Sequence, residues 1–383
     1  MNPNIQFPLP ENNQLEFHAS CSEGLDEFLV EEISKYSLKI IAKNRGGVHF
    51  SGPTSEILKF ILRTRFSSRV AVTLFRTRVN SADDLYTRSL QFPWETIIEP
   101  EDSFRIDAMT KDILGNSRYA MYRLKDSIRD RLRKKEDREG EIEKNHPDVN
   151  IVLRSFQETA IVQLNLSSLP LHKRGYRTEI SEAPLREVLA QALLAFADWK
   201  EDELLLDPMC GSGTILIEAA LRLKYKNQIN VPLLTESPVF LRLFSSESLR
   251  DEPGPSPANK TIFGFDTNEK AIRSARINAR KAGVENFISF EQSDFRFLHK
   301  KQNFQNIKII TNPPYGERIG EKSEIKDLYT EIGKVLKDNY GGSSFHLICG
   351  DKSLLGYFRL KADKEKSVTI SNLKGKFVSY SIK

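Results

Sequence analysis

Asn312-Pro313-Pro314-Tyr315 follows the apolar run IKIIT. Two consecutive prolines, Pro313 and Pro314, keep a loop extended and its carbonyls out of a helix, so the loop can aim acceptors at a substrate. An exocyclic amine on an aromatic base is a poor nucleophile because its lone pair is delocalised into the ring. If the Asn312 side-chain carbonyl and the Pro313 backbone carbonyl each accept one amine hydrogen, the nitrogen moves towards tetrahedral geometry. Its lone pair then faces an electrophilic methyl group. Tyr315 is placed to stack on the base and hold it in line. No strong general base is needed, since the nitrogen becomes acidic as it is alkylated. Asn-Pro pairs are common in ordinary turns; the full tetrad at the end of a buried strand is not.

A second constellation is DPMCGSGT, between a buried apolar strand and a helix, where doubly wound folds bind ligands. Gly211 and Gly213 allow a tight turn and close approach of a ligand, and the following helix offers unpaired N–H groups. Asp207, Pro208 and Thr214 frame the turn. Asp266 ends the next strand, where an acid can hold both hydroxyls of a ribose. Asp294 ends the strand after that, near an adenine, with Phe295 available to pack on its face. Any one strand-end Asp reads equally well as a helix cap; three in register with a glycine turn favour a ligand. The turn lacks the third glycine of a dinucleotide fingerprint. An NAD-type oxidoreductase competes on these residues alone, and the Asn312 loop decides against it.

From Leu185 onward strands alternate with helices, the pattern of an open, mainly parallel α/β sheet. ELLLD, TIFGFD, FISFE, IKIIT and SFHLIC are the strands; TILIEAALRL, NEKAIRSARINARKAG and IKDLYTEIGKVL lie between them. SVTISNL and KFVSYSI form a terminal hairpin, and LREVLAQALLAFADW links the two halves. Residues 226 to 259 hold Pro232, Pro238, Pro253, Pro255 and Pro257 without clear periodicity, which predicts a surface insertion. Upstream the pattern is α+β. LEFHAS, GGVHF, VAVTLFRT, SFRIDAM and AIVQLNLS are strands, and GLDEFLVEEISKY and SEILKFILRTR are helices. A long basic helix follows the N-cap residues Asn116 and Ser117, with Ala120, Leu124, Ile128 and Leu132 on its core face.

The chain has 383 residues, 39% hydrophobic and 28% charged, which excludes a mostly disordered or fibrous protein and allows two or three domains. Its net charge of +5 does not by itself announce a nucleic-acid binder. Distribution says more: Lys59 to Arg78 holds Lys59, Arg63, Arg65, Arg69, Arg76 and Arg78 with no acid, interleaved with Phe60, Phe66 and Phe75. Phosphates would be drawn to such a strip; a solvated face reads equally well from charge alone. Arg129 and Arg133 point outward from the long helix. Cys21, Cys210 and Cys349 are scattered and odd in number, predicting reduced thiols and no metal site. No signal peptide or membrane-length apolar run is seen, so a cytoplasmic protein is expected.

LHKRGYR, APLRE, DPMCGSGTILIEAA, SARINARKAG and NPPYGERIG together resemble the THUMP-domain class I RNA methyltransferases, and among them the enzymes that methylate the 2-amino group of guanine in large-subunit ribosomal RNA. The resemblance covers nearly the whole chain. It implies a ferredoxin-like unit over 1–68, an RNA-binding THUMP domain over 69–171 and a Rossmann-like, doubly wound methyltransferase domain over 172–383. It implies S-adenosylmethionine contacts at Asp207, Gly211, Gly213, Asp266 and Asp294, with Pro184 and Glu187 also near the cofactor, and target-base contacts at Asn312, Pro313 and Tyr315. It strengthens an RNA role for Lys59, Arg63, Arg65, Arg69, Arg129 and Arg133. Some relatives carry a second methyltransferase module, and the ending at Lys383 leads to the expectation of a single modification. Transfer RNA, an adenine amine in DNA, and a noncatalytic RNA-binding assembly factor are the alternatives; the last is opposed by the intact Asp266, Asn312 and Tyr315. Oligomeric state is not legible.

Overall fold

Period-two apolar patterning builds the N-terminal half around one sheet. Its elements are β1 (Gln14–Ser20), α1 (Asp26–Ile33), β2 (Lys39–Asn44), β3 (Gly47–Pro53), α2 (Thr54–Arg63), β4 (Arg69–Arg78), α3 (Ala82–Ser89), β5 (Ser103–Met109), α4 (Ser117–Glu136), β6 (Glu141–Ile142), β7 (Val149–Phe156) and β8 (Thr159–Asn165). The computed structural model describes residues 14–143, 145–177, 185–226, 228–244, 260–298, 307–315, 322–370 and 373–383. They divide into two units: the described parts of 1–21, 29–171 and 230–250, and those of 22–28, 172–229 and 251–383.

In the first unit the eight strands run β2-β3-β1-β4-β8-β7-β5-β6. β4 joins its two halves: Val72 pairs with Phe17 of β1 on one side and Leu164 of β8 on the other. A boundary at residue 68 therefore falls just before a strand that both halves share. On α4, Ala120, Leu124, Ile128 and Leu132 are fully buried, and the Asn116 side chain accepts from the Tyr119 amide as the cap. Four elements were not legible in the patterning, among them β6, which is only two residues long. β2 is an exposed edge with Ile41 out in solvent, so it has no alternation. β7 is buried on both faces, and Asn150, Arg154 and Ser155 interrupt its apolar residues so that no alternation shows, while α3 is too polar to show a periodic face.

The chain continues through α5 (Glu187–Phe196), β9 (Leu205–Asp207) and α6 (Thr214–Lys224), then α7 (Val231–Leu234) and α8 (Pro238–Leu243). These last two correct the expectation of a surface insertion. Residues 230–244 are part of the first unit, with Val231, Leu234, Val239, Phe240 and Leu243 buried. Asn230 Nδ2 donates to the carbonyls of Ile61 (2.7 Å) and Thr64 (2.8 Å), and Arg242 pairs with Asp102 (2.6 Å). Pro232 and Pro238 sit in first turns, where a missing N–H costs nothing. The helices are too short to show a 3.6-residue period. The rest of that stretch, 245–259, lies outside the described residues.

The second unit holds β10 (Ile262–Asp266), α9 (Glu269–Lys281), β11 (Ile288–Gln292), β12 (Lys308–Thr311), α10 (Lys322–Asn339), β13 (Ser344–Cys349), β14 (Lys364–Ile370) and β15 (Leu373–Ser381). Its seven strands run β11-β10-β9-β12-β13-β15-β14. The first five are parallel, and the terminal hairpin adds β15 antiparallel to β13. Strand order reverses between β9 and β12, so the crevice at their C-terminal ends is where such a sheet takes a ligand. Leu206, Phe265, Ile309, Tyr329, Phe345 and Tyr380 belong to the core that fixes these strand ends.

Candidate active site

The glycine turn is built by its backbone. Gly211 and Gly213 have φ of +53° and +81°, in the left-handed region that side chains avoid. A Cβ on Gly213 would also come within 3.1 Å of Ala275 and Phe290, whereas one on Gly211 would meet nothing within 4 Å. Gly213 is thus needed for packing, and Gly211 leaves room above the turn. Asp266 Oδ2 accepts from the Gly211 amide (2.9 Å) and Oδ1 from the Asn268 amide (2.9 Å), which locks the second strand end to the turn. From α9, buried Asn278 donates to the Ser212 carbonyl (3.3 Å).

Asp207 ends β9, is 2% exposed, and accepts from the Thr311 hydroxyl (2.6 Å) and the Met209 amide (3.2 Å). Burial pushes its pKa up to about 7 against the pull of those two hydrogen bonds. Thr311 precedes Asn312, so this one bond ties the glycine turn to the proline loop. Asn312 Oδ1 is buried and accepts no hydrogen bond among the described residues. Pro313 is buried, Pro314 exposed and Tyr315 half-buried. A Cβ on Gly350, just past β13, would lie 2.8 Å from the Tyr315 ring, so the absence of a side chain there gives the ring its seat.

Other expected contacts have prior engagements. Both Asp294 oxygens accept from Arg296, whose guanidinium holds the carboxyl below the usual range, and Oδ1 also caps the turn at Phe295–Phe297. Phe295 is 8% exposed, with nearly all of its ring in the core. Thr214 is buried at the start of α6, and Pro208 is half-buried. Glu187, at the start of α5, is held by Arg177. Pro184 and the GERIG segment after Tyr315 lie outside the described residues. Thr311, Asn278, Arg177 and Gly350 were not singled out in the sequence. The first three stand inside noted motifs, but only Thr311, the polar end of IKIIT, edges an apolar run; Arg177 and Asn278 stand among other polar residues, and Gly350 gave no signal.

The basic strip of the first unit does not form one surface. Lys59 is exposed beside Glu56 (2.6 Å), while Arg65 is turned inward to the buried Glu32 (3.4 Å) and Arg76 reaches Glu16 (3.0 Å). Arg63 and Arg69 are half-buried, and Phe60, Phe66 and Phe75 are core residues that no base can reach. Arg129 and Arg133 both pair with Glu139.

A parallel sheet closed by a reversed hairpin, with a glycine turn at its switch point and a proline-braced Asn beside it, defines a Rossmann-like methyltransferase. The chain belongs to the RMKL-like methyltransferase domain family, which residues 174–378 match. Residues 16–71 match the RlmL ferredoxin-like domain and 79–165 the THUMP domain. The ribosomal RNA large subunit methyltransferase K/L of Photobacterium profundum is 35% identical over 359 residues, covering 91% of this chain and 50% of that protein. Its namesake from Vibrio parahaemolyticus is 33% identical, covering 96% and 53%. The chain spans about half the length of the curated relatives it matches. A possible methylase from Clostridium difficile 630 superposes with TM-score 0.80 at 28% identity, over 97% of this chain and 99% of its own. SMU.472, a putative methyltransferase complexed with SAH, does so with TM-score 0.80 at 25% identity, over 97% and 98%.

S-adenosylmethionine is the cofactor this family implies, and the residues present fit it. Gly211 keeps open space above the turn, Asp266 is fixed beside that turn by the Gly211 amide, and the buried Asn312 side-chain oxygen accepts no hydrogen bond among the described residues. Among the described residues no group of three or more His, Cys, Asp or Glu could hold a metal ion, and no helix is long and apolar enough to cross a membrane. Cys21, Cys210 and Cys349 are not joined in disulfides.

Proposed function

We propose that this protein methylates the exocyclic 2-amino group of a guanosine in large-subunit ribosomal RNA, using S-adenosylmethionine. The observation that carries the reading is the Asn312 carbonyl oxygen, buried and without a donor, on a loop whose prolines prevent it from collapsing. An unmet buried acceptor costs about 1–3 kcal/mol, and an amine hydrogen offsets that cost. Asn312 and the Pro313 carbonyl orient the amine, Tyr315 on its Gly350 seat stacks the base, and Thr311 fixes the loop against Asp207. The cofactor supplies an electrophilic methyl group. The names of the K/L relatives support ribosomal RNA as the substrate, and the THUMP match supports RNA binding by the first unit. We assign 1–68, 69–171 and 172–383 as the ferredoxin-like, THUMP and methyltransferase domains, the first two sharing the sheet through β4, with 230–244 folded into the first unit and 22–28 into the second, and place the protein in the cytoplasm.

A guanine inside a helix hides its 2-amino group in the minor groove, so the target is unpaired or flipped out. Purified protein, labelled cofactor and naked ribosomal RNA from a strain lacking the gene should yield label on guanosine at the 2-amino group. Label on adenosine or cytidine, or only on transfer RNA, would refute the reading.

A further inference from the structure

Arg177 has no part in the chemistry above, yet it lies at the site. Its Nε (3.1 Å) and Nη2 (3.0 Å) donate to Glu187 Oε1, and Nη2 also reaches the Leu185 carbonyl (2.9 Å) and the Thr214 hydroxyl (3.3 Å). Glu187 and Thr214 are the first residues of α5 and α6, so the guanidinium stands where two helices begin. Helix starts carry unpaired N–H groups and a partial positive charge, surroundings that favour an anion. Arg177 Nη1 is nonetheless buried and donates to nothing among the described residues. The arginine is also held in place from behind. Next to it, Tyr176 donates to the fully buried Glu218 (3.1 Å), which also accepts from Gln191 (2.9 Å) and faces Arg174 (3.6 Å).

A pinned guanidinium with one unengaged nitrogen, paired with one carboxylate, is a neutral couple with a positive and a negative pole. It suits a zwitterion better than a phosphate, which would call for net positive charge. We propose that Arg177 receives the carboxylate of the amino-acid end of S-adenosylmethionine, with Glu187 taking its ammonium. The proposal rests on the cofactor reading of the Gly211 turn and adds which residue holds the methionine end.

Calorimetry on the full chain with two probes tests it: S-adenosylhomocysteine, which has the amino-acid end, and 5′-methylthioadenosine, which lacks it. Arg177→Gln should weaken S-adenosylhomocysteine about 30-fold, the scale of a lost charge-assisted hydrogen bond, and leave 5′-methylthioadenosine within about 2-fold. Arg177→Lys should recover part of the loss, and Glu187→Gln should show the same selectivity. Retained binding of 5′-methylthioadenosine also reports that each variant is folded. An equal loss for both probes would make Arg177 a merely structural residue, and an unchanged S-adenosylhomocysteine affinity would place the carboxylate elsewhere; either result overturns the proposal. If the unaltered protein binds neither probe, the cofactor reading itself fails, and the proposal with it.

Discussion

Between Lys59 and Arg78 six basic side chains follow one another without an acid, and the folded first unit sends them to different surroundings: solvent, a buried carboxylate, a half-buried strand face. In the second unit, residues spread from Arg177 to Gly350 draw together through Asp207–Thr311, Gly211–Asp266 and Tyr315 on Gly350. Charge along a sequence says nothing about which face a side chain will take, because α2 and β4 each turn successive residues in different directions. A glycine turn or a double proline fixes the backbone itself, and the side chains beside it inherit a place. Proximity in sequence therefore misleads in the first unit, while distance in sequence conceals a site in the second.

The sharpest test of that convergence separates the two strand ends. Asn312→Ala should lower turnover about 10²–10³-fold, the scale for removing one oriented hydrogen-bonding group from a transition state, with cofactor affinity nearly unchanged. Asp266→Ala should do the reverse, weakening cofactor binding by about 2 kcal/mol through loss of charge-assisted hydrogen bonds. Turnover and calorimetry on the two variants decide the matter. If Asn312→Ala keeps most of its turnover, or Asp266→Ala its affinity, the loop and the turn do not divide the labour as argued.

A smaller effect follows from the bond that joins them. Burial raises the Asp207 pKa to about 7 in the folded protein, well above its unfolded value. A raised carboxyl pKa means that the folded state holds a proton the unfolded state has lost. The associated stability is fully present below about pH 4 and disappears as pH rises through 7. Between pH 6 and 8 this group alone should remove about 1.4 kcal/mol of folding stability. Denaturant unfolding of the wild type and Asp207→Asn across that range should show a slope in the first that is missing from the second. Parallel profiles would mean that Asp207 is ionised throughout and that Thr311 donates to a carboxylate at every pH.

Much of this was legible beforehand. The order of strands and helices after Leu185, the terminal hairpin, the core face of α4 and the two motif turns all follow from period and punctuation. Asp207, Gly211, Gly213, Asp266 and Asn312 stand where their spacing puts them. Asp294 and Phe295 show the limit: their positions at a strand end were readable, but their attachments to Arg296 and to the core were not, since both depend on tertiary neighbours. The same holds for 230–244, whose apolar side chains have their partners in the first unit. Without those partners their buried faces would be exposed to water, so a fragment from about Glu179 onward is a poorer test of cofactor binding than the full chain.

The smallest expected effect concerns the charges of the first unit, and burial determines which of them can be tested. Arg65→Glu would set a second acid beside buried Glu32, whose pKa burial already raises, so any loss of RNA binding there would be confounded with loss of the fold. Lys59 and Arg133 are exposed; of the acids they pair with, Asp130 and Glu139 share the solvent, while Glu56 is partly covered. Exchanging such rim ion pairs for phosphate contacts costs little, because each is worth about 0–1 kcal/mol. Lys59→Ala and Arg133→Ala should therefore leave thermal stability and cofactor affinity alone. If RNA contacts these side chains, each variant should reduce the steepness of the salt dependence of RNA binding by about 0.7–0.9 in log–log slope, one phosphate contact apiece. An affinity and slope equal to those of the unaltered protein in the double variant would move the RNA away from both Lys59 and Arg133.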